Sequence, residues 1–208
     1  MSRAIDRRTR LLIALVSVVV SGCFSPREDP SRFFLLTSGP WEAADVPPAA
    51  EGDGSIAVGP IELPDYLAGP LLVTRLGENE IVVSGFERWA EPLHDNILRV
   101  LTTNLSADLQ TRVVAYPALL QEDVRLRVPI TVRRFERDST GVVALWADWR
   151  IDAATTGNTM RRGSSRISQP ASGTEGDASV VAMSDALVTL SREIATAIRA
   201  VPPGGADR

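Results

Sequence analysis

Between Asp123 and Phe135 the chain reads DVRLRVPITVRRF, in which Val124, Leu126, Val128, Ile130 and Val132 alternate with Arg125, Arg127, Thr131 and Arg133. Alternation with a period of two puts one face of a strand in a core and the other in water. GVVALWADWRI repeats it, with Val143, Leu145, Ala147, Trp149 and Ile151 on one face and Ala144, Trp146, Asp148 and Arg150 on the other. Asp138-Ser139-Thr140-Gly141 between the two runs predicts a hairpin turn. Met160 to Ile167 predicts a third antiparallel strand beside them.

The period changes at Ala90. In AEPLHDNILRVLTTNLSADL, Leu93, Ile97, Leu101, Leu105 and Leu109 recur every four residues, widened by Leu98 and Val100, which is the stripe of an amphipathic helix with Pro92 in its first turn. Val180, Met183, Leu187, Leu190, Ile194, Ile198 and Val201 step by three or four towards Pro202-Pro203 and predict a second. Its seam suits a coiled-coil interface or a sheet face. Two such helices beside an antiparallel sheet predict an α+β fold with both helices packed on one sheet face.

Upstream, Arg32 to Leu36, Ser55 to Val58, Leu71 to Arg75 and Ile81 to Phe86 read as short strands, and Arg112 to Ala115 as another. Pro60, Pro64 and Pro70 should confine their segment to edge strands and turns. Residues 37–54, rich in proline, glycine and acid, predict a flexible surface loop. Trp41 within it is either a partner anchor or an aromatic resting on the domain itself.

The N-terminus carries different information. Arg3, Arg7, Arg8 and Arg10 precede about ten apolar residues, Leu11 to Val20, which fits a signal peptide and is too short to span a bilayer. Val20-Ser21-Gly22-Cys23 resembles the bacterial lipobox, which makes Cys23, the sole cysteine, the expected lipidation site and the first mature residue. With about 0.8 kcal/mol per buried methylene, two or three acyl chains hold a protein firmly on a membrane. The expected organisation is a signal peptide over 1–22, a tether over 23–31, one α+β periplasmic domain over 32–201 and a disordered tail over 202–208. Phe24 follows the cysteine where inner-membrane retention often uses Asp, which points to the outer membrane.

Charge and motifs exclude several functions. The chain of 208 residues has net charge −4, and loss of the signal peptide removes four arginines and Asp6, leaving 186 residues at −7. All 22 basic residues are arginine, yet the acidic balance argues against nucleic acid as a partner. One histidine, His94, and one cysteine supply neither a zinc ligand set nor a Cys/His nucleophile pair. A Ser-His-Asp triad on His94 lacks a G-x-S-x-G elbow, and no phosphate-binding glycine motif is present. Carboxylate pairs such as Glu78 with Glu80, or Glu122 with Asp123, sit in polar turns and read as solvation. No enzyme and no cofactor is expected.

Two segments exceed what core packing asks for: LPDYLAGP, Leu63 to Pro70, and FERWAEPL, Phe86 to Leu93. With GVVALWADW and ALVTLSREIATAI they run in the same order as in the ABC-type transport auxiliary lipoproteins, and the chain resembles that family from Phe33 to about Ile198. Ala68-Gly69-Pro70 departs from the family's usual Asp-Arg-Pro. The resemblance implies a non-catalytic outer-membrane lipoprotein facing the periplasm, an accessory of a lipid-transport system concerned with membrane integrity. It also implies an envelope-spanning MCE-domain protein as partner and allows a homo-oligomeric ring. Tyr66, Leu67, Arg88, Trp89 and Glu91 are then the partner-binding candidates, although Pro64, Tyr66 and Trp89 also suit local packing and Arg88 with Glu91 a local ion pair. The competing class is a carrier that holds an acyl chain between its own sheet and helices.

Overall fold

Strand β6, Val124–Asp138, is the spine of the sheet. The computed structural model describes residues 29–40, 54–117, 123–173 and 176–202. Among them eight strands form one sheet: β1 Arg32–Phe34, β2 Ser55–Glu62, β3 Leu71–Arg75, β4 Ile81–Trp89, β5 Val113–Ala115, β6, β7 Val142–Ala153 and β8 Thr159–Pro170. Two helices, α1 Leu93–Leu109 and α2 Gly176–Arg199, and a 3-10 turn at Asp65–Leu67 complete the described elements. Cys23, Trp41, most of the 37–54 loop and residues 203–208 lie outside the described residues.

The period-two reading of β6 and β7 holds. On the helix side Leu126 lies opposite Ala153, Ile130 opposite Trp149 and Val132 opposite Ala147, while Thr131 and Asp148 pair on the open side. Between Val132 and Arg134 the register slips by one residue, so that Phe135 lies opposite Leu145. An extra residue of this kind reverses the parity of a strand. Alternation alone would turn Phe135 outward; the slip puts it in the core, fully buried, and turns Glu136 to the other side.

The expected antiparallel sheet is in fact mixed. β3–β4, β6–β7 and β7–β8 are antiparallel, whereas β2 runs parallel to both β5 and β6, β3 parallel to β6 and β1 parallel to β4. Half-buried alternation looks the same in either direction; direction is set by the connections, and α1 lies in the crossover that lets β5 run parallel to β2. Pro60 is a second correction. It lies in β2, between β5 and β6 rather than on an edge strand, and is tolerated because β5 pairs only as far as Val58 and the β2–β6 register breaks between Val58 and Ile61.

Both helices cover the same face. Leu93, Ile97, Val100, Leu101 and Leu105 of α1 and Val180, Met183, Leu187, Leu190, Ile194 and Ile198 of α2 join Val128, Ile130, Leu145 and Ile151 in one buried cluster. α1 starts at Leu93, three residues after the pattern changes at Ala90, with Pro92 as its N-cap rather than inside its first turn, and ends at Gln110 in the left-handed conformation, φ 51°. Trp149 fixes α2 to the sheet: its Nε1 donates to Ser165 Oγ at 3.0 Å, and that hydroxyl donates to Glu193 of α2.

The Trp149 ring lies directly over Gly163 of β8, where a Cβ would stand 2.3 Å from Trp149 Cζ2. Gly163→Ala therefore forces the indole out of place and breaks its bond to Ser165. The expected loss is about 2 kcal/mol or more, read by urea unfolding.

Candidate functional site

The two distinctive segments converge where β1, β3, β4 and the N-termini of both helices meet. FERWAEPL forms the end of β4 and the entry to α1, and each of its polar residues has a job. Glu87 accepts a hydrogen bond from Gly176 N at 3.1 Å, placing a carboxylate at the positive N-terminus of α2. Arg88 Nε donates to Ser31 Oγ at 3.3 Å. Trp89 N donates to Pro70 O at 2.8 Å and Ala90 N to Phe34 O at 2.9 Å, which joins the two segments to each other and to β1. Glu91 accepts from Arg99 at 2.7 Å, and the same guanidinium donates to Leu36 O and Asn96 Oδ1. The partner of Glu91 is thus Arg99, two turns along α1, rather than Arg88.

Leu67 and Trp89 are 4% and 6% exposed and belong to the core. They line a recess between sheet and helices, with Leu93, Phe135 and Met183, whose volume is only about 50 Å³. Tyr66 and Arg88 are half-buried and Glu91 is partly exposed. The exposed neighbours of Arg88 are aromatic: Phe33, which pairs with it across β1, and Phe86, two residues before it, are 64% and 57% exposed.

Tyr66 reports on a group the sequence reading missed. Its hydroxyl donates to Glu136 Oε2 at 2.8 Å, Arg75 Nε and Arg134 Nε donate to Oε1 at 2.7 and 2.8 Å, and the Phe135 amide donates to Oε2 at 3.0 Å. Glu136 is 1% exposed, so a buried carboxylate ties the Asp65–Leu67 turn and β3 to the spine. In the string RRFERD nothing local marks it out. Asn96 and Asn104 were missed as well. Their side-chain oxygens accept from Leu36 N at 3.0 Å and Gly39 N at 2.9 Å and hold the chain after β1 against α1. Two buried amides eight residues apart, inside an apolar helical stripe, were the available signal.

Residues 34–195, from β1 to α2, match the family described as ABC-type transport auxiliary lipoprotein component. The chain belongs to this family. It is 26% identical over 141 residues to the intermembrane transport lipoprotein PqiC of Escherichia coli K12, covering 68% of this chain and 73% of PqiC. Two crystal structures share the fold. One, of an uncharacterized protein, has a TM-score of 0.66 at 21% identity, covering 81% of this chain and 98% of its own. The other, from Xanthomonas campestris, has a TM-score of 0.63 at 18% identity, covering 85% and 98%.

In this auxiliary lipoprotein the only histidine, His94, contacts Asp95 Oδ1 at 2.8 Å on the exposed start of α1. Among the described residues no three His, Cys, Asp or Glu side chains are grouped to hold a metal ion, and no helix is long and apolar enough to cross a membrane. The face of β6, β7 and β8 turned away from the helices is open and polar. It carries a groove of about 530 Å³ lined by Thr131, Arg133, Asp148, Arg150, Arg162 and Ser164, among others. Arg133 Nε donates to Asp148 Oδ2 at 3.0 Å, and that guanidinium, followed by the Ser164 hydroxyl, holds the Asp148 carboxyl below the usual carboxylate range.

Two predictions follow from these carboxylates. Burial first, then the hydrogen bond and charge of Glu136, push the Tyr66 phenol up to about 12. A folded-state value above the unfolded one means that the contribution to stability is complete below about pH 10 and is lost as the pH rises towards 12. In a Tyr116→Phe background Tyr66 is the sole tyrosine, and its absorbance step at 295 nm should fall back when Glu136→Gln is added; the same substitution should cost about 2–3 kcal/mol in urea unfolding. For Asp148 the sign is opposite: its ion pair contributes above the unfolded carboxylate value and is lost as the pH falls through the lower folded one. Carboxyl NMR should give a midpoint below about 3.9, moving up in Arg133→Ala.

Proposed function

We propose that this auxiliary lipoprotein is a non-catalytic docking subunit, acylated on Cys23, held on the outer membrane with its domain in the periplasm. Its partner is an envelope-spanning MCE-domain protein, whose distal end it captures while lipid moves along the partner. Homo-oligomeric assembly into a ring around that end fits the same role. Similarity to PqiC, an intermembrane transport lipoprotein, supports a place in lipid movement between membranes.

The observation that favours docking over carrying is the filled space between sheet and helices. Ligand pockets for molecules of lipid size take about 300–1,000 Å³, whereas the recess at Leu67, Trp89 and Phe135 holds about 50 Å³. An acyl chain has no room there without separating α2 from β3 and β4. The proposed contact surface is the β1–β4 edge, where Arg88 stands between exposed Phe33 and Phe86, with Tyr66 and Glu91 on the flanking turn and helix entry. Aromatic and arginine side chains dominate interface energetics. Leu67 and Trp89, being buried, act by positioning that edge.

The test is affinity purification of the tagged full-length chain from detergent-solubilised envelopes, with mass spectrometry of copurified proteins and of the N-terminal peptide. A triacylated Cys23 peptide and an MCE-domain protein are expected. Phe33→Ser with Phe86→Ser should abolish recovery of the partner while leaving the melting temperature within about 2 °C, as for other exposed positions. Recovery of phospholipid without any protein partner would overturn the docking role in favour of a carrier.

A further inference from the structure

The charge of this chain is divided between two parts of the fold. Residues 124–170, which make up β6, β7, β8 and their turns, hold nine arginines against four acids, Glu136, Asp138, Asp148 and Asp152. That segment is therefore +5 in a chain whose total is −4. Two of the four acids are buried and already engaged: Glu136 by Arg75 and Arg134, and Asp152, 2% exposed, by Arg150 Nε at 2.8 Å and Thr159 Oγ1 at 2.9 Å. The surplus cation is left on the open face.

There the groove gathers three guanidinium groups and three hydroxyls, those of Thr131, Thr159 and Ser164, around one opening. Arg133 is held by Asp148 and Arg150 by Asp152, while Arg162, exposed and lying opposite Arg150 in the β7–β8 ladder, has no carboxylate partner among the described residues. Thr131 and Ser164 lie across from Asp148 on either side. One rung away, Trp146 is 37% exposed and lies between two more arginines, with Arg134 at 5.3 Å and Arg166 at 5.1 Å from its ring centre. Planar arginine forks combined with hydroxyl donors match the several oxygens of a phosphate better than the two of a carboxylate. An amphipathic tryptophan beside them suits the boundary between headgroup and water.

We propose that this groove binds the phosphodiester headgroup of an anionic glycerophospholipid. The choice of a lipid rather than a free phosphate rests on the reading of Cys23 as an acyl anchor: nine residues from Cys23 to Arg32 span at most about 30 Å, which keeps the domain beside a bilayer. Asp148 is the one exposed carboxylate in the groove and opposes the ligand. Arg162 supplies the free fork, with Arg133 and Arg150 completing the positive rim.

The test titrates the full-length chain, in maltoside detergent, with water-soluble dihexanoyl phosphatidylglycerol and follows tryptophan fluorescence. Saturable binding is expected, weakened about tenfold or more by Arg162→Ala with melting unchanged, as loss of a charge-assisted contact implies, and strengthened by Asp148→Asn. Absence of saturation, indifference to Arg162→Ala, or equal binding of dihexanoyl phosphatidylcholine would overturn the proposal. Equal affinity for glycerol phosphate or inorganic phosphate would overturn the lipid as its source. Tighter binding of polyglutamate at the same residues would assign the face to an acidic protein instead. The mass of the N-terminal peptide in the same preparation reports the anchor separately, so failure of the groove and failure of the anchor are distinguishable.

Discussion

A single extra residue in β6, between Val132 and Arg134, decides what both faces of the sheet become. Up to Val132 the even-numbered side chains enter the core; after it Phe135 does, and Glu136 turns to the open side with its backbone deep in the sheet. A carboxylate there loses water on burial and survives as a charge only if donors surround it. Tyr66, Arg75, Arg134 and the Phe135 amide meet that requirement. The turn carrying Tyr66 and the strand carrying Arg75 are thereby pinned to the spine, and through the bond from Trp89 N to Pro70 O the end of β4 is aligned with them. The geometry of the distinctive segments follows from this chain of contacts rather than from helix or strand propensity.

Legibility in the sequence tracks how local the cause is. The alternation of β6 and β7, the four-residue stripe of α1 and the long stripe of α2 were readable because burial of one face imposes a period on the residues themselves. The Asp138–Gly141 turn was readable too: Asp138 Oδ1 accepts from Thr140 N and Val142 N, and Gly141 takes φ 88°. Strand direction was not, since a parallel and an antiparallel half-buried strand show the same pattern. Pro60 misled because proline excludes a strand position only where a ladder partner needs its amide hydrogen. At the candidate site, LPDYLAGP and FERWAEPL meet in the fold through the bond from Trp89 N to Pro70 O, yet the partners within them were not legible. Arg88 and Glu91 are close in sequence, but the entry into α1 separates them and gives Glu91 to Arg99 and Arg88 to Ser31. Glu136 and Glu87 were not singled out in the sequence because their burial and capping depend on segments some sixty to ninety residues away.

Covering only one face of the sheet has a functional consequence. The helix side leaves only about 50 Å³ beside Leu67 and Trp89, which favours recognition at the surfaces. Two of these differ in chemistry: an aromatic edge at β1 and β4 with Arg88, and an arginine-rich open face on β6, β7 and β8. In the strand order β1-β4-β3-β6, continued through β7 to β8, they lie at opposite ends of the sheet. Occupation of one leaves the other free.

That separation makes the two proposals complementary rather than competing. A tether alone holds a domain near a membrane without orienting it. A second, weak contact between the arginine groove and a headgroup would restrict rotation, and the aromatic edge at the far end of the sheet would then point away from the bilayer towards an incoming partner. Weakness is an advantage in that arrangement, since the proposed acyl anchor would hold the domain close and raise the effective concentration of headgroups at the groove. The ion pair of Arg133 with Asp148 fits such tuning: it fixes one fork in place while lowering the positive potential that an anionic lipid would meet.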